Sequence, residues 1–340
     1  MKTYLTYDDV NIVPKFSEVL SRENVDLSTR FTKNTTLSVP IVSSPMDTVT
    51  EYKMASEMLD QGGVGVIHRF QSIEKQAKQM KRVWRQWDSW YDIGGDEDRT
   101  DHTRVFDEWY KGVRHWNSPP TKSDYEDLHE LLWFADEAER DEDYWSKRPL
   151  CAAIGTTGDY LERAQELVKN GCNVLLIDVA HGHHKLVGDA LEKIKKNISR
   201  IEIVAGNIAT REGAEFLLQS GADGIRVGIG NGSLCETRIR TGVGLPQVST
   251  LLDVVTICDD FDVPCIADGG IRNIGDVCKG LGCGADSVML GSLLSGTKES
   301  PGQIEKIGEW PNEKLFKKYR GSASRDSKGN DKNVEGNHKV

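Results

Sequence analysis

Short apolar runs alternate with amphipathic stretches from Cys151 to about residue 300. The stretches Tyr160–Lys169, Leu186–Lys196 and Gly213–Gln219 carry apolar side chains at helical spacing. The runs between such stretches are Leu150–Ile154, Val174–Ile177, Ile203–Ala205, Gly224–Val227, Cys265–Ala267 and Ser287–Leu290. Strands that are apolar throughout and alternate with helices predict a parallel sheet covered by helices.

Two earlier runs, Leu37–Val42 and Val64–Ile67, bring the number of predicted strands to eight. Eight strand and helix units favour a (β/α)8 TIM barrel over an open sheet. The boundaries we predict are residues 1–70 for the first part of the barrel, 71–150 for an insertion, and 151–340 for the remainder, with the active-site loop and a shortened flap.

The predicted insertion differs in composition from the rest of the chain. Seven of the eight Trp lie between Trp84 and Trp145, among acidic clusters. Large aromatic side chains are normally buried, so the first interpretation is a helical cap with its own Trp core. The second interpretation is a surface for self-association or for a partner, where Trp is enriched.

Small and polar residues follow several predicted strands, where barrel enzymes carry their sites. They include Asp178, Asn207 and Gly228, followed by Asp268-Gly269-Gly270. One such segment is explained by turn formation, but four in succession predict a site. The segments Asp268–Gly270 and Gly291–Ser292 lie where barrels hold a phosphate with backbone N–H groups, which predicts a nucleotide monophosphate site.

The segment Gly228–Arg238 carries the sharpest local pattern. Three Gly in five residues let the backbone turn tightly and approach a ligand. Cys235 follows among Gly, Ser, Glu, Thr and Arg, which predicts an exposed nucleophile. The cysteines in or beside apolar segments are predicted to be buried, namely Cys172, Cys258, Cys265, Cys278 and Cys283.

Composition excludes several classes of protein. The net charge of −10 disfavours a general nucleic-acid or anionic-membrane binder. No run approaches 18 apolar residues, and the N-terminus lacks a signal-peptide core. The seven Cys show no CxxC pair, so neither a disulfide framework nor a zinc site is favoured. From these observations we expect a cytoplasmic protein. There is no P-loop and no strand-GxGxxG-helix unit, so we expect neither ATP chemistry nor a Rossmann domain.

Ten short motifs follow one another across residues 5–70 and 150–321. They are Leu5–Val10, Ser43–Glu51, Gly62–Arg69, Asp178–Gly182, Ala205–Asn207, the Cys235 loop, Thr241–Gly244, Ala267–Arg272, Met289–Ser292 and Tyr319–Gly321. In these motifs and their order, the chain has a resemblance to the IMP dehydrogenase/GMP reductase family of barrel oxidoreductases. The resemblance implies hydride transfer between a nicotinamide, NADPH or NAD, and purine C2 through a covalent thiol adduct.

The resemblance also implies residue roles. Cys235 would be the nucleophile, with Thr237 and Glu335 as its catalytic neighbours. A purine nucleoside monophosphate would be bound by Ser44, Met46, Ser233, Asp268, Gly269, Gly270, Gly291, Ser292, Tyr319 and Gly321. The nicotinamide cofactor would contact Asp178, Asn207 and Arg226. The backbone carbonyls of Gly230, Gly232 and Cys235 would bind a monovalent cation such as potassium.

The direction of the reaction depends on a few segments. Ser43–Glu51 and Ala267–Arg272 are similar to the dehydrogenase, which oxidises IMP to XMP. The segment from Tyr319 to Gly336 is short and lacks the Arg-Tyr pair with which the dehydrogenase activates water. It ends in a Glu335-Gly336 similar to that of the reductase, which converts GMP to IMP and ammonia. We weigh the missing pair most and predict a GMP reductase, with IMP dehydrogenase as the alternative.

Two other interpretations are a non-catalytic nucleotide-binding barrel and a flavin-dependent barrel. The presence of Cys235, Thr237 and Asp268 disfavours the first, and the ordered motifs disfavour the second.

The resemblance further implies a homotetramer. The dehydrogenases usually carry a pair of CBS modules where residues 71–150 lie, and the family usually continues beyond residue 340 into the last barrel helix. We therefore expect either a shortened chain or another element that covers the barrel where the last helix would lie.

Overall fold

Eight parallel strands close into a barrel in the described part of the chain. The computed structural model describes residues 3–91, 148–307, 314–321 and 335–339. The barrel strands are β3 (Ile41–Ser43), β4 (Val64–Ile67), β5 (Cys151–Ile154), β6 (Val174–Asp178), β7 (Glu202–Ile208), β8 (Gly224–Val227), β9 (Cys265–Asp268) and β10 (Ser287–Leu290). Each strand pairs with its neighbours in sequence, and β10 pairs with β3 to close the ring. This confirms the predicted (β/α)8 barrel.

The first predicted strand is divided in the structure. Pro40 lacks the N–H that a continuous ladder needs, so the apolar run from Leu37 to Val42 splits around it. Leu37 ends β2 (Thr36–Leu37), which forms a hairpin with β1 (Thr29–Arg30), and the barrel strand begins at Ile41.

Helices connect the barrel strands in the described ranges. They are α1 (Tyr52–Asp60), α2 (Ile73–Tyr91), α3 (Tyr160–Lys169), α4 (Lys185–Asn197), α5 (Arg211–Gln219), α6 (Thr237–Thr241), α7 (Gln247–Asp260) and α8 (Ile274–Gly282). The side chains of Thr210 and Asn273 cap α5 and α8 by accepting backbone N–H groups, which explains why α5 begins before the predicted Gly213. Within the described ranges, no helix follows β10. None of the described helices is long and apolar enough to cross a bilayer.

The core fills the barrel and extends to its N-terminal end. Its side chains are Phe31, Leu37, Val42, Val64, Val66, Cys151, Ala153, Val174, Leu176, Val204, Ile266 and Met289. Phe31 belongs to the segment between β1 and β2 and is fully buried. The Glu202 carboxylate at the start of β7 accepts hydrogen bonds from Thr32, Asn34 and Thr35 of that segment. The hairpin is therefore fixed to the barrel by both apolar packing and charge-assisted hydrogen bonds.

The chain forms two compact units, residues 1–84 with 146–340, and residues 85–145. Ala77, Met80 and Val83 of α2 are buried, so this part of the predicted insertion belongs to the barrel unit. Residues 92–147 lie outside the described residues, and with them most of the segment predicted as a Trp-rich cap or association surface.

A small antiparallel sheet follows the barrel. It contains β11 (Glu305–Ile307), β12 (Lys314–Arg320) and β13 (Glu335–Lys339), in that order. The register pairs Tyr319 with Gly336 and Arg320 with Glu335. The Arg320 guanidinium binds the carboxylate of Asp47 at 2.6 Å, which joins β12 to the loop after β3.

Candidate active site

The loops after β8 and β9 meet at the C-terminal end of the barrel. Gly228 has a φ of 141°, and a Cβ at this position would lie 1.9 Å from the carbonyl oxygen of Asp268. Gly269 has a φ of 94°, and its Cβ would lie 3.0 Å from the backbone nitrogen of Gly232. Both positions require glycine, because a side chain would collide with the neighbouring backbone. The glycines therefore bring the Cys235 loop and the Asp268 loop into direct contact.

Cys235 lies at the end of its loop, immediately before the short helix α6. Its side chain is half-buried, and its Sγ donates a hydrogen bond to Thr237 Oγ1 at 3.2 Å. The backbone N–H of Cys235 donates to the carbonyl of Gly232 at 3.0 Å, which holds the loop in a tight turn. The thiol is thus accessible to a ligand and has a hydroxyl neighbour that can exchange a proton with it.

The other cysteines differ in environment. Cys151, Cys172, Cys258 and Cys265 are buried, and burial raises the pKa of Cys172 to about 12. The predicted burial of Cys278 is wrong, because this residue lies on the solvent face of α8 and is exposed. Cys283 is half-buried rather than buried, since it follows the end of the same helix.

A buried charge network lies at the ends of β6 to β9. The Arg226 side chain is 8% exposed and donates from Nη1 to Asp178 at 2.7 Å and from Nε to Asp268 at 3.0 Å. Asn207 Nδ2 donates to the same Asp268 oxygen at 2.6 Å and to the Gly228 carbonyl at 2.8 Å. The four residues that we predicted as ribose and cofactor contacts therefore form one connected cluster.

Four of the residues predicted to bind the nucleotide meet just after β10. A Cβ at Gly291 would lie 2.9 Å from the Tyr319 hydroxyl and 3.3 Å from the Met46 sulfur. Tyr319 is 4% exposed, and burial raises the pKa of its hydroxyl while a hydrogen bond with Ser233 lowers it. Ser44 is buried beside them and donates its N–H to the Leu290 carbonyl at 3.0 Å.

Gly321 connects this group to the cysteine loop. Its Cβ would lie 3.1 Å from the Leu234 carbonyl, so the end of β12 packs directly against the residue before Cys235. Because Glu335 pairs with Arg320, the backbone of Glu335 is held beside the end of β12. Its side chain is outside the described part of the structure.

Three residues to which the sequence assigned no site role lie beside the predicted site residues. Gln247 is buried at the start of α7, donates to the Val227 carbonyl at 2.7 Å and accepts from Asn231 at 2.6 Å. The Tyr7 ring lies 3.5 Å from the position of a Cβ on Gly270, and burial raises the pKa of its hydroxyl. Tyr7 and Arg69 lie within the motifs Leu5–Val10 and Gly62–Arg69, which indicated no role for them, and no motif contains Gln247.

Arg69 is the third of these residues. Its Nε lies 3.6 Å from the Asp178 carboxylate and makes no hydrogen bond within the described residues, although the atom is buried. The guanidinium also lies over the Phe70 ring, 5.0 Å from its centroid. Within the described residues, no group of three or more His, Cys, Asp or Glu could hold a metal ion.

The closed parallel barrel, with contacting loops at the carboxyl ends of its strands, defines a TIM barrel whose candidate site lies where barrel enzymes carry theirs. Comparison with known proteins specifies which kind. The chain belongs to the IMP dehydrogenase / GMP reductase family, since the model of that domain matches residues 4–339. It is therefore an oxidoreductase of a family that acts on purine nucleotides, as predicted, and the non-catalytic alternative is not supported.

Some relatives are named as IMP dehydrogenases and others as GMP reductases. The inosine-5'-monophosphate dehydrogenase of Nitrosopumilus maritimus is 37% identical over 95% of this chain and 80% of its own length. That of Borreliella burgdorferi is 40% identical over 95% of this chain and 76% of its own length. The GMP reductase of Leishmania major is 34% identical over 88% of this chain and 76% of its own length.

Proposed function

We propose that this chain reduces GMP to IMP and ammonia with a reduced nicotinamide cofactor, through a covalent adduct between Cys235 and purine C2. The observation that carries the proposal is the half-buried thiol, which is hydrogen-bonded to Thr237 and lies on the glycine-rich loop that contacts the Asp268 loop. A thiol in this position can add to an electrophilic carbon, and a neighbouring hydroxyl can pass on the proton.

The atoms balance in two steps. The Cys235 sulfur forms a bond to C2 of GMP, and the C2 amino group leaves as ammonia after gaining a proton relayed through Thr237. Hydride addition at C2 and cleavage of the carbon–sulfur bond would then give IMP and the Cys235 thiolate, which takes a proton from solvent to restore the thiol. The bound nicotinamide cofactor supplies that hydride.

The nucleotide would be held across the barrel mouth. The ribose hydroxyls would donate to Asp268, whose two protein donors both bind Oδ2 and therefore leave Oδ1 for a ligand. The phosphate would bind Ser233, Tyr319 and backbone N–H groups of Gly270, Gly291 and Ser292. Ser44, Met46, Gly269 and Gly321 would line the nucleotide site. Fixed N–H dipoles suit a dianion in a protein of negative net charge.

The residues present fit a phosphate-bearing nicotinamide cofactor. Asp178, Asn207 and Arg226 are adjacent at the ends of three neighbouring strands. Beside them, Arg69 has a buried Nε without a hydrogen-bond partner in the described residues, and a third of its side chain is exposed. A partly exposed guanidinium of this kind suits a phosphate oxygen. We propose that these four residues hold the cofactor.

We also propose that the backbone carbonyls of Gly230, Gly232 and Cys235 bind potassium. The Gly232 carbonyl already accepts the N–H of Cys235, so one of its two lone pairs remains for a cation.

The segment after Gly321 supports reduction of GMP as the direction of the reaction. Hydrolysis of the adduct needs a group that deprotonates water, and this segment has Arg325 without a following Tyr. The pairing of Glu335 with Arg320 holds the Glu335 backbone beside the end of β12, where Gly321 contacts Leu234. This backbone position supports the proposal that the Glu335 carboxylate acts at the cysteine loop. That carboxylate could pass a proton through Thr237 to a leaving amine. The names of the relatives from Nitrosopumilus maritimus and Borreliella burgdorferi favour the second candidate, oxidation of IMP to XMP.

One assay separates the two candidates. The purified protein is incubated with GMP plus NADPH or NADH, and separately with IMP plus NAD, while the absorbance of reduced nicotinamide is followed. We expect faster consumption of GMP. Robust XMP formation without oxidation of the reduced cofactor on GMP would replace the reductase by the dehydrogenase. As a check on the proton relay, Glu335→Gln should slow GMP turnover about 100-fold, while Glu305→Gln on the exposed β11 should not.

A further inference from the structure

A lysine that the proposed chemistry does not use is buried beneath the phosphate side of the site. Lys317 on β12 is 2% exposed. Its Nζ donates to the carbonyl oxygens of Thr297 and Ser300, each at 2.7 Å, and to Ser300 Oγ at 3.2 Å. An ammonium has three donors, so this set of oxygens satisfies it. Burial lowers the pKa of Lys317, and the nearby Glu299 opposes that effect.

The oxygens that accept hydrogen bonds from the ammonium lie at the end of the predicted phosphate loop, the segment from Gly291 to Ser300. Ser300 Oγ lies 2.7 Å from the Ser295 carbonyl, to which it can donate while accepting from Lys317. Ser295 in turn donates from Oγ to the Ser292 carbonyl at 2.9 Å and from its N–H to the Gly291 carbonyl at 3.1 Å. A continuous chain of hydrogen bonds thus connects the ammonium to Gly291 and Ser292.

The strand provides a second connection to the same place. Side chains at alternate positions of a strand share a face, so Lys317 and Tyr319 both point inward while Lys318 between them is exposed. The Tyr319 hydroxyl lies 2.9 Å from the position that a Cβ on Gly291 would occupy. Fixing Lys317 against the loop therefore also fixes the register at which Tyr319 meets the phosphate loop.

We propose that Lys317 is a positioning residue for the nucleotide phosphate: an internal cation that orders the loop from Gly291 to Ser300 and Tyr319 without touching the ligand. The inference rests on the proposed nucleotide site. The loop requires a cation with N–H donors at the position of Lys317 Nζ. Without such a cation, the inward-facing carbonyl oxygens of Thr297 and Ser300 would be buried and unpaired. A methionine of similar shape fills the space but cannot satisfy the oxygens.

The test compares affinity for GMP with affinity for guanosine, measured by competition, in Lys317→Met and in the matched control Lys318→Met. We expect the Kd for GMP to rise about tenfold or more in Lys317→Met, the Kd for guanosine to change less than twofold, and kcat to fall less than KM rises. Lys318→Met should resemble the wild type. Equal weakening of both ligands, or an unchanged Kd for GMP, would overturn the inference.

Chemical rescue gives an independent measurement. In Lys317→Ala, n-propylammonium should restore GMP affinity, since it replaces the missing methylenes and ammonium, whereas tetramethylammonium has no N–H donor and should not. Equal effects of the two amines contradict the inference. If neither Lys317 variant folds, Ser300→Ala provides the test. It should weaken the binding of GMP, less than loss of the lysine would, and leave the binding of guanosine unchanged. A Ser300→Ala protein without this selective loss of GMP affinity would count against the inference. A wild type that binds neither GMP nor IMP refutes the proposed function itself.

Discussion

Replacing Asp268 with alanine perturbs both the nucleotide site and the buried charge network. The Asp268 carboxylate is the acceptor for Asn207 Nδ2 and for Arg226 Nε. Its side chain is 17% exposed and that of Arg226 is 8% exposed, so both ions are largely removed from water. The substitution leaves the Arg226 charge buried with Asp178 as its remaining carboxylate partner.

Two magnitudes follow from these contacts. Breaking a buried ion pair by removing one partner costs about 3–5 kcal/mol of stability, and we expect about 3 kcal/mol because Asp178 remains. Loss of hydrogen bonds from the ribose to a charged acceptor should weaken nucleotide binding by about 1.5–3 kcal/mol, or roughly 10- to 150-fold in Kd. Asp268→Asn keeps one carbonyl acceptor and should lie between the wild type and the alanine variant.

The matched control is Asp223→Ala at the opposite end of the barrel. Asp223 is 10% exposed, pairs with Lys195 and accepts the N–H of Ile203, just before β8 begins. It should lose stability but keep nucleotide affinity. Denaturant unfolding measures the first quantity and titration calorimetry the second. An Asp268→Ala protein with wild-type affinity for the monophosphate would remove Asp268 from the ribose site, and one with wild-type stability would refute the network argument.

Three further predictions use other parts of the molecule. Cys235→Ala should abolish turnover but retain nucleotide binding by calorimetry; near wild-type turnover would exclude the thiol adduct. We expect a homotetramer by sedimentation, and Phe16→Ser with Leu20→Ser should weaken it, because these side chains are 90% and 97% exposed; a monomer of 37.9 kDa at micromolar concentration refutes this. His68, whose Nε2 lies 3.6 Å from the Glu51 carboxylate, lowers the pKa of Glu51, so the stabilisation from this pair is present above the unfolded pKa of Glu51 and is lost as pH falls through the folded one. The stability difference from Glu51→Gln should shrink in acid, and a constant difference would contradict the assignment.

The barrel could be predicted from the sequence because its signal is local. Each barrel strand is a short apolar run, and each connecting helix repeats its apolar positions over a few turns. The division at Pro40 follows from the missing N–H of proline, but the sequence does not say to which sheet each half belongs.

The contacts within the site could be predicted less well, because they join distant positions. Asp178 and Asp268 are 48 and 42 residues from Arg226, and no local pattern indicates that one guanidinium binds both. Lys317 and Lys318 are adjacent and identical in type, yet one is buried and the other exposed. Because side chains alternate between the two faces of β12, Lys317 and Lys318 lie on opposite faces. Which oxygens accept hydrogen bonds from Lys317, however, depends on where the strand packs.

The pairing of β10 with β3 has a consequence for how the protein acquires its activity. This pairing is the seam at which the ring closes, and the proposed phosphate loop lies across it: Tyr319 reaches Met46, 273 positions away. Contacts so distant in sequence form late, since their loop-closure entropy must first be overcome. We therefore expect that a chain still being synthesised does not bind the nucleotide, however complete its earlier strands are. Once the ring is closed, bound nucleotide holds the two ends of the barrel together, so ligand should protect the amides along this seam from hydrogen exchange.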